Sequence, residues 1–459
     1  MRRLWAIVTL TWKAAFRYRL FWVMLGLLLL AVVGLPVLLK DDGTARGFAQ
    51  IVITYTLSSV TALLGMATLW LACGTLARDI EECQIQMIAV KPIPLWQVWL
   101  GKWIGLLTLN AVLLAIAGAC IAGLIQWRAK HLPPEEQETL RREVLVARGS
   151  LKEPPIDFRP IVEREFQRAL KEKDIPPADR PFVRQQIEER VKAYYQLVPP
   201  GIVRQWIIPA GHVRNLNENE PLHVRVKFYV VRTNESGSYI VAWRFGRPTG
   251  PRRVPDIIKS MAAESVVEFT IPAAAIEEDG RLIINCTHAE DNVLLFPLED
   301  GLEVLYREGG FGLNFARGLG VILCWLGLMA AIGLAASSFL SFPVAAFFSL
   351  TMLILVFSSG SMAASVEEGT IMGVDHETNA PSNPVIDAVM LPVFKGMLAV
   401  VNLARSFSPV ESLSTGRSIP WETLGLAFVQ VVLLLGGVFA AVGMIVLSRR
   451  ELATAQGTS

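Results

Sequence analysis

The chain has 459 residues, 53% hydrophobic and only 18% charged, with a formal net charge of +2. An ordinary soluble chain is about 25% charged, so the composition points away from a soluble globular protein, and no nucleic-acid partner is expected.

A run of about 18 or more apolar residues can cross the hydrocarbon core as a helix. The first is Leu20 to Leu39, led by Arg2, Arg3, Lys13, Arg17 and Arg19 with no acid among them. In that lead Trp5, Val8, Trp12 and Phe16 cluster at helical spacing, with Lys13 and Arg17 on an adjoining side, which predicts an interfacial helix. A signal peptide is the competing reading; the basic lead is long, and the apolar run exceeds the usual ~7–15 residues. Gln50 to Ala77 and Val98 to Gln126 are the second and third runs. These elements make residues 1–126 one segment.

Residues 127–310 form a large insertion with two halves. The first, 127–200, is charged and predicts three helices: one opening at Pro133-Pro134-Glu135-Glu136, then Arg159 to Lys173 and Asp179 to Leu197. The second, 201–310, switches to period two. Leu222, Val224, Val226 and Phe228 alternate with His223, Arg225 and Lys227, and similar strands run through Tyr239 to Phe245, Ser265 to Ile271, Arg281 to Thr287 and Leu302 to Tyr306. Short alternating strands divided by turns predict an antiparallel β-sandwich. Residues 311–459 return to apolar runs: Leu313 to Ala336, Phe342 to Ala364 interrupted by Pro343 and serines, and Thr423 to Leu447, with a helical segment 366–422 before the last. The expected fold is a polytopic helical membrane protein with six transmembrane helices and an inserted α+β domain. Lys and Arg flanking the first and last runs favour a cytoplasmic side. An even number of spans places both termini there, and residues 127–310 and 366–422 outside, in a cell membrane.

The spans hold almost no ionisable group, which argues against proton- or ion-coupled transport. Asn110, Ser58, Ser59 and Thr61 read as helix–helix glue. No G-x-x-x-x-G-K-[ST] loop and no G-x-S-x-G elbow occurs. Cys286 is alone in the insertion, and His212, His223 and His288 lack tight ligand spacing, so neither a disulfide nor a metal site is expected there. Asn234-Glu235-Ser236 and Asn285-Cys286-Thr287 match the glycosylation sequon. The chain reads as non-catalytic, with no cofactor of its own.

The cytoplasmic loop between the second and third runs carries the candidate site. Arg78, Asp79, Glu81 and Glu82 mark the exit from the bilayer, Ile85, Met87 and Ile88 form a short apolar surface with Val90, and Lys91-Pro92-Ile93-Pro94 stops the helix ahead of Gly101-Lys102. The same segment would serve as an interfacial helix resting on lipid. With Pro92-Ile93 and Gly101-Lys102 following the acidic helix end in order, it resembles the type-2 ABC exporter permease family. Cys83-Gln84 and Pro94-Leu95 depart from the family's Gly-Thr and Ser-Arg. Gly416-Arg417, Ser448-Arg449-Arg450-Glu451-Leu452-Ala453 and a short external helix over Phe394 to Leu403 fit its C-terminal part. The resemblance covers the membrane half and omits the insertion. It implies a half-transporter that pairs with a second permease subunit, identical or not. A separate cytosolic ABC ATPase, which holds ATP and Mg, would dock on the loop. The alternative is a membrane-anchored sensor or binding protein whose external β domain recognises a ligand. Lipid, glycan, peptide and drug all stay open as substrate.

Overall fold

The structure, a computed structural model, describes residues 2–17, 19–38, 44–82, 84, 93–140, 144–172, 176, 180–213, 216–217, 220–234, 236–247, 254–368, 370–371, 384–405 and 407–449. Its helices in chain order are α1 (Arg2–Arg17), α2 (Arg19–Leu38), α3 (Ala45–Glu81), α4 (Leu95–Ala129), α5 (Pro134–Thr139), α6 (Arg159–Glu172), α7 (Arg180–Gln196), α8 (Phe311–Ser337), α9 (Phe342–Phe357), α10 (Ser359–Glu368), α11 (Pro384–Arg405), α12 (Pro409–Ser414) and α13 (Trp421–Arg449). The chain divides into two compact units: Met1–Ala147 with Gly309–Ser459, and Arg148–Glu308.

The first unit is helical. Five of its helices are long and apolar enough to cross a membrane: Gly47–Glu81, Leu95–Ala129, Phe311–Ser337, Ile386–Leu403 and Trp421–Arg449. Arg2–Arg17 and Phe21–Pro36, bent by 73°, add a sixth if the pair is one span. Two features differ from the sequence expectation. The run Phe342 to Ala364 breaks at Ser358 into α9 and α10. Ser358-Ser359-Gly360-Ser361 sits at the break, and Ser361 Oγ donates to the Ser358 carbonyl at 2.8 Å; serine back-bonding and glycine both weaken a helix interior. Conversely α11, where a short external helix is expected, is itself long and apolar enough to span.

Helices α3, α4 and α8 supply much of the core, including Leu57, Val60, Leu64, Leu106, Leu109, Val321 and Ile322. Small residues let them approach: a Cβ on Gly333 would lie 2.7 Å from the Ala72 methyl. Thr68 Oγ1 donates to Asn110 Oδ1 at 3.0 Å across α3 and α4, the gluing role expected of Asn110. Helix α1 turns only part of its apolar stripe inward. Ile7, Val8, Thr11 and Ala15 are buried, whereas Trp5 is 61% and Phe16 40% exposed. Trp12 anchors the helix, its indole N–H donating to Thr108 Oγ1 on α4 at 3.0 Å.

The second unit is an antiparallel β region joined by a helical hairpin. Its strands are β1 (Val146–Leu151), β2 (Leu197–Val198), β3 (Arg204–Pro209), β4 (Pro221–Lys227), β5 (Tyr229–Val230), β6 (Ser238–Phe245), β7 (Ile257–Ala262), β8 (Val266–Pro272), β9 (Arg281–His288), β10 (Leu294–Leu295) and β11 (Leu302–Gly310). They form two four-stranded sheets, β1-β11-β4-β8 and β3-β9-β6-β7, and a small sheet β2-β10-β5. Leu222, Val224 and Val226 of β4 join Tyr239, Val241 and Trp243 of β6 in one apolar cluster, as alternation along a strand requires. The expected strands all form. The three helices expected in 127–200 form as α5, α6 and α7, and between the first two the chain adds to a sheet an unexpected strand, β1. Gly149 makes that fit possible, because the ring of Tyr306 lies where a side chain would go.

The opposite face of β1-β11-β4-β8 carries buried charge. Glu268 accepts from Arg148 at 2.8 Å and Arg225 at 3.3 Å, and Glu303 accepts from Arg225 at 3.2 Å and Ser150 at 3.1 Å. Opposite charges with shared hydrogen bonds are what make such burial tolerable. Both sequon asparagines serve the fold. Asn285, 4% exposed, donates to the Gly246 carbonyl at 3.0 Å, and Asn234 donates to the Ser238 carbonyl at 2.8 Å.

Candidate functional site

The described part of the expected coupling segment is the C-terminal end of α3 and the N-terminal part of α4. Ile85, Met87, Ile88, Lys91 and Pro92 lie outside the described residues. The flanking residues are brought together tightly. Thr75 and Asp79 stand one turn apart on one face of α3, as residues four apart do. Lys102 on α4 reaches both: its Nζ lies 2.6 Å from Asp79 Oδ2 and donates to the Thr75 carbonyl at 2.9 Å. The lysine side chain is 8% exposed and the aspartate 25%. A charge buried this far needs a partner, and Asp79 supplies it.

Gly101 and Gly105 occupy the neighbouring face of α4. A Cβ on Gly101 would come within 2.8 Å of Ile7, and one on Gly105 within 2.8 Å of Thr11. Glycine at both positions therefore seats α1 against α4. One end of α4 thus holds two helices, α3 through Lys102 and α1 through its glycines.

Arg78 and Glu81 point to a third helix. Glu81 Oε1 accepts from the Phe342 N–H at 3.0 Å, capping one of the unpaired donors at the start of α9 where negative charge is favoured. The Arg78 guanidinium stands 5.1 Å from the Phe342 ring centroid, a cation–π distance. Trp70 meets the same ring edge-on at 5.5 Å. Glu82 is exposed and accepts from Gln84 Nε2 at 2.6 Å.

The charged residues expected at the rim of a docking surface are therefore engaged largely within the chain. Sequence reasoning missed Thr75, Ile7, Thr11 and Phe342. Only Phe342 carried a local signal, as the aromatic residue before Pro343 at a helix start.

Among the described residues, no group of three or more His, Cys, Asp or Glu is placed to hold a metal ion. The three histidines of the second unit are spent separately. His212 packs on the Tyr306 ring at 5.8 Å, His223 Nδ1 lies 3.2 Å from Glu268, and His288 Nε2 is 2.7 Å from the Asn292 carbonyl oxygen. The second unit has a cavity of about 370 Å³ lined by Phe245, Arg247, Val254, Ile276, Glu277 and Asp279 among others. Arg247 crosses it to Glu277 at 2.9 Å and Asp279 at 2.7 Å. Compared with known proteins, the chain matches no family model, no curated protein and no solved structure.

Proposed function

We propose that the chain is the membrane permease subunit of an ATP-driven ABC-type exporter, working as one half of a pair and drawing energy from a separate cytosolic ATPase. The observation that carries this reading is the clamp at the ends of α3 and α4. The loop between them hangs from two helix ends tied by Lys102, Asp79 and Thr75, and the same turn of α3 holds α9 through Glu81. A push on the loop reaches α3, α4, α9 and α1 through packed contacts, which deform little. A loop that only rests on lipid needs no such clamp.

In this reading the spans number six, both termini are cytoplasmic, and residues 127–310 lie outside the cell membrane, with the two four-stranded sheets stacked as a sandwich. ATP and Mg are held by the ATPase, and the chain catalyses nothing itself. A second reading, a membrane-anchored sensor or binding protein, is favoured by one observation: Arg148–Glu308 has its own core and a cavity of about 370 Å³.

The test is co-purification in mild detergent. The wild-type chain brings down an ABC ATPase, and hydrolysis belongs to the complex, with none from the chain alone. Met87→Asp and Ile88→Asp, which place a charge in an apolar docking groove at a cost of several kcal/mol, abolish that capture while insertion and expression stay at wild-type level. Retention of the ATPase by both variants would remove the loop as the docking site. Absence of any ATPase with the wild type favours the sensor.

A further inference from the structure

Near the start of α8 stands an arginine with no counter-charge among the described residues. Arg317 is 8% exposed and lies on a helix long and apolar enough to cross a membrane. Among the described residues its side chain makes no ion pair or hydrogen bond. It lies over the ring of Trp421, with Cζ 5.5 Å from the centroid, and Nε is buried without a partner. Glu411 and Glu422, the acids flanking Ser418 in sequence, are exposed and do not pair with it. A cation–π contact offsets only part of the desolvation cost. Nε therefore keeps an unused donor, which an anion would take.

The surroundings offer a second donor. Asn314, one turn before Arg317, fixes the connection that leads into α13: its Nδ2 donates to the Arg417 carbonyl and its Oδ1 accepts from the Ile419 N–H, both at 2.8 Å. Ser418 lies between those two bonded residues, and its Oγ is buried without a partner. Trp421, 61% exposed, opens the last span, where tryptophan sits at the membrane–water boundary. The Asn314 bonds hold Ser418 at the same end of α8 as Arg317, and a guanidinium fork with a hydroxyl matches the tetrahedral oxygens of a phosphate group.

We propose that Arg317 and Ser418, walled by Trp421, form a receptor for a phosphate anion at the membrane–water boundary. Two sources offer that group there, the headgroup of a phospholipid and phosphate dissolved in water. The site needs only that α8 and α13 span a membrane, so it stands apart from the exporter reading.

The experiment uses the full chain in detergent micelles. Phosphatidylglycerol is compared with diacylglycerol of the same acyl chains, and inorganic phosphate with chloride at equal ionic strength, by bound-lipid mass and thermal unfolding. The wild type prefers one phosphate source over its control by about tenfold. A preference for phosphatidylglycerol identifies the headgroup as the occupant; a preference for inorganic phosphate identifies the dissolved anion. Arg317→Met keeps the volume and removes the charge. It abolishes the preference yet unfolds no earlier than wild type without phosphate, since the deleted charge has no partner. Ser418→Ala, too small a change to unfold the chain, weakens the preference. The proposal is overturned if the wild type prefers neither source, if Arg317→Met keeps the preference, or if Arg317→Met unfolds earlier in the absence of phosphate.

Discussion

At the scale of single residues, Lys102 and Asp79 decide how the ends of α3 and α4 hold together. Asp79→Asn leaves the buried ammonium with only the Thr75 carbonyl. An orphaned buried charge is costly; because Asp79 is a quarter exposed, the expected loss is about 1–3 kcal/mol. Replacing both, with Asp79→Asn and Lys102→Met, restores part of it, because no charge is then left unpaired. A double-mutant cycle of thermal unfolding in detergent reads the coupling, and strict additivity would mean the pair is only a contact. The sequence made Gly101-Lys102 visible as a motif and placed four charges at a bilayer exit. What each side chain does was hidden, because the partners are remote: all of α2 and α3 lie between Ile7 and Gly101, and Phe342 lies beyond the whole insertion from Glu81. Local patterning marks a charge at a helix end without saying whether it faces outward to a partner or inward to another helix.

At the scale of elements, the glycine face of α4 fixes where α1 lies. Gly101→Ala and Gly105→Ala each drive a methyl to within 2.8 Å of Ile7 and Thr11 respectively, and overpacking of this kind costs about 1–3 kcal/mol. The expected result is a loosened α1, seen as faster tryptic cleavage at Lys13 and Arg17; unchanged cleavage would mean that α1 is held elsewhere. Elements were legible where their period was clean. The strands of the second unit alternate strictly at Leu222 to Lys227, and they form as expected. Strand β1 was not, because Val146-Ala147-Arg148-Gly149-Ser150-Leu151 holds small and charged residues whose burial depends on Tyr306 and Glu268, which lie far along the chain. The stripe of α1 divides for a related reason: Val8 is buried and Trp12 bonds to α4, whereas Trp5 and Phe16 are exposed. Trp5 and Phe16 are apolar and regularly spaced, yet hydrophobicity does not tell a lipid-facing residue from one facing another helix.

At the scale of the whole molecule, the count of crossings sets which side each segment occupies. Among the described residues α11 is long and apolar enough to cross, whereas α9 is a shorter apolar helix; the exporter reading needs one crossing from this region to keep both termini on one side. An impermeant maleimide on intact cells decides where Arg148–Glu308 lies. Tyr194→Cys offers a reporter at a position 75% exposed, while native Cys286 stays silent, being fully buried with its thiol pushed up by that burial. Labelling of Tyr194→Cys in intact cells is the expected outcome, and labelling only after lysis would reverse the topology and with it the exporter reading.

The same scale explains how a domain of this size sits inside a membrane chain. The second unit begins at Arg148 on β1 and ends at Glu308 on β11, and those strands are hydrogen-bonded neighbours. Its two ends therefore leave side by side, so the insertion separates α4 from α8 in sequence without requiring them to part in space. Such ends are the ones at which domain insertion is tolerated. The unit also keeps its own core, from Leu222 and Val241 to Ile284 and Val304, and pairs its buried charges internally, as Arg225 does with Glu268 and Glu303. A chain of about 150 residues buries roughly 68–70% of its unfolded surface, enough for independent folding. Residues 146–310 expressed alone should be soluble and unfold in one cooperative transition, measured by tryptophan fluorescence at Trp206 and Trp243, which lie stacked 6.2 Å apart in the core. A broad, non-cooperative transition, or an insoluble product under several expression conditions, would mean that β1 and β11 need the helices they connect to.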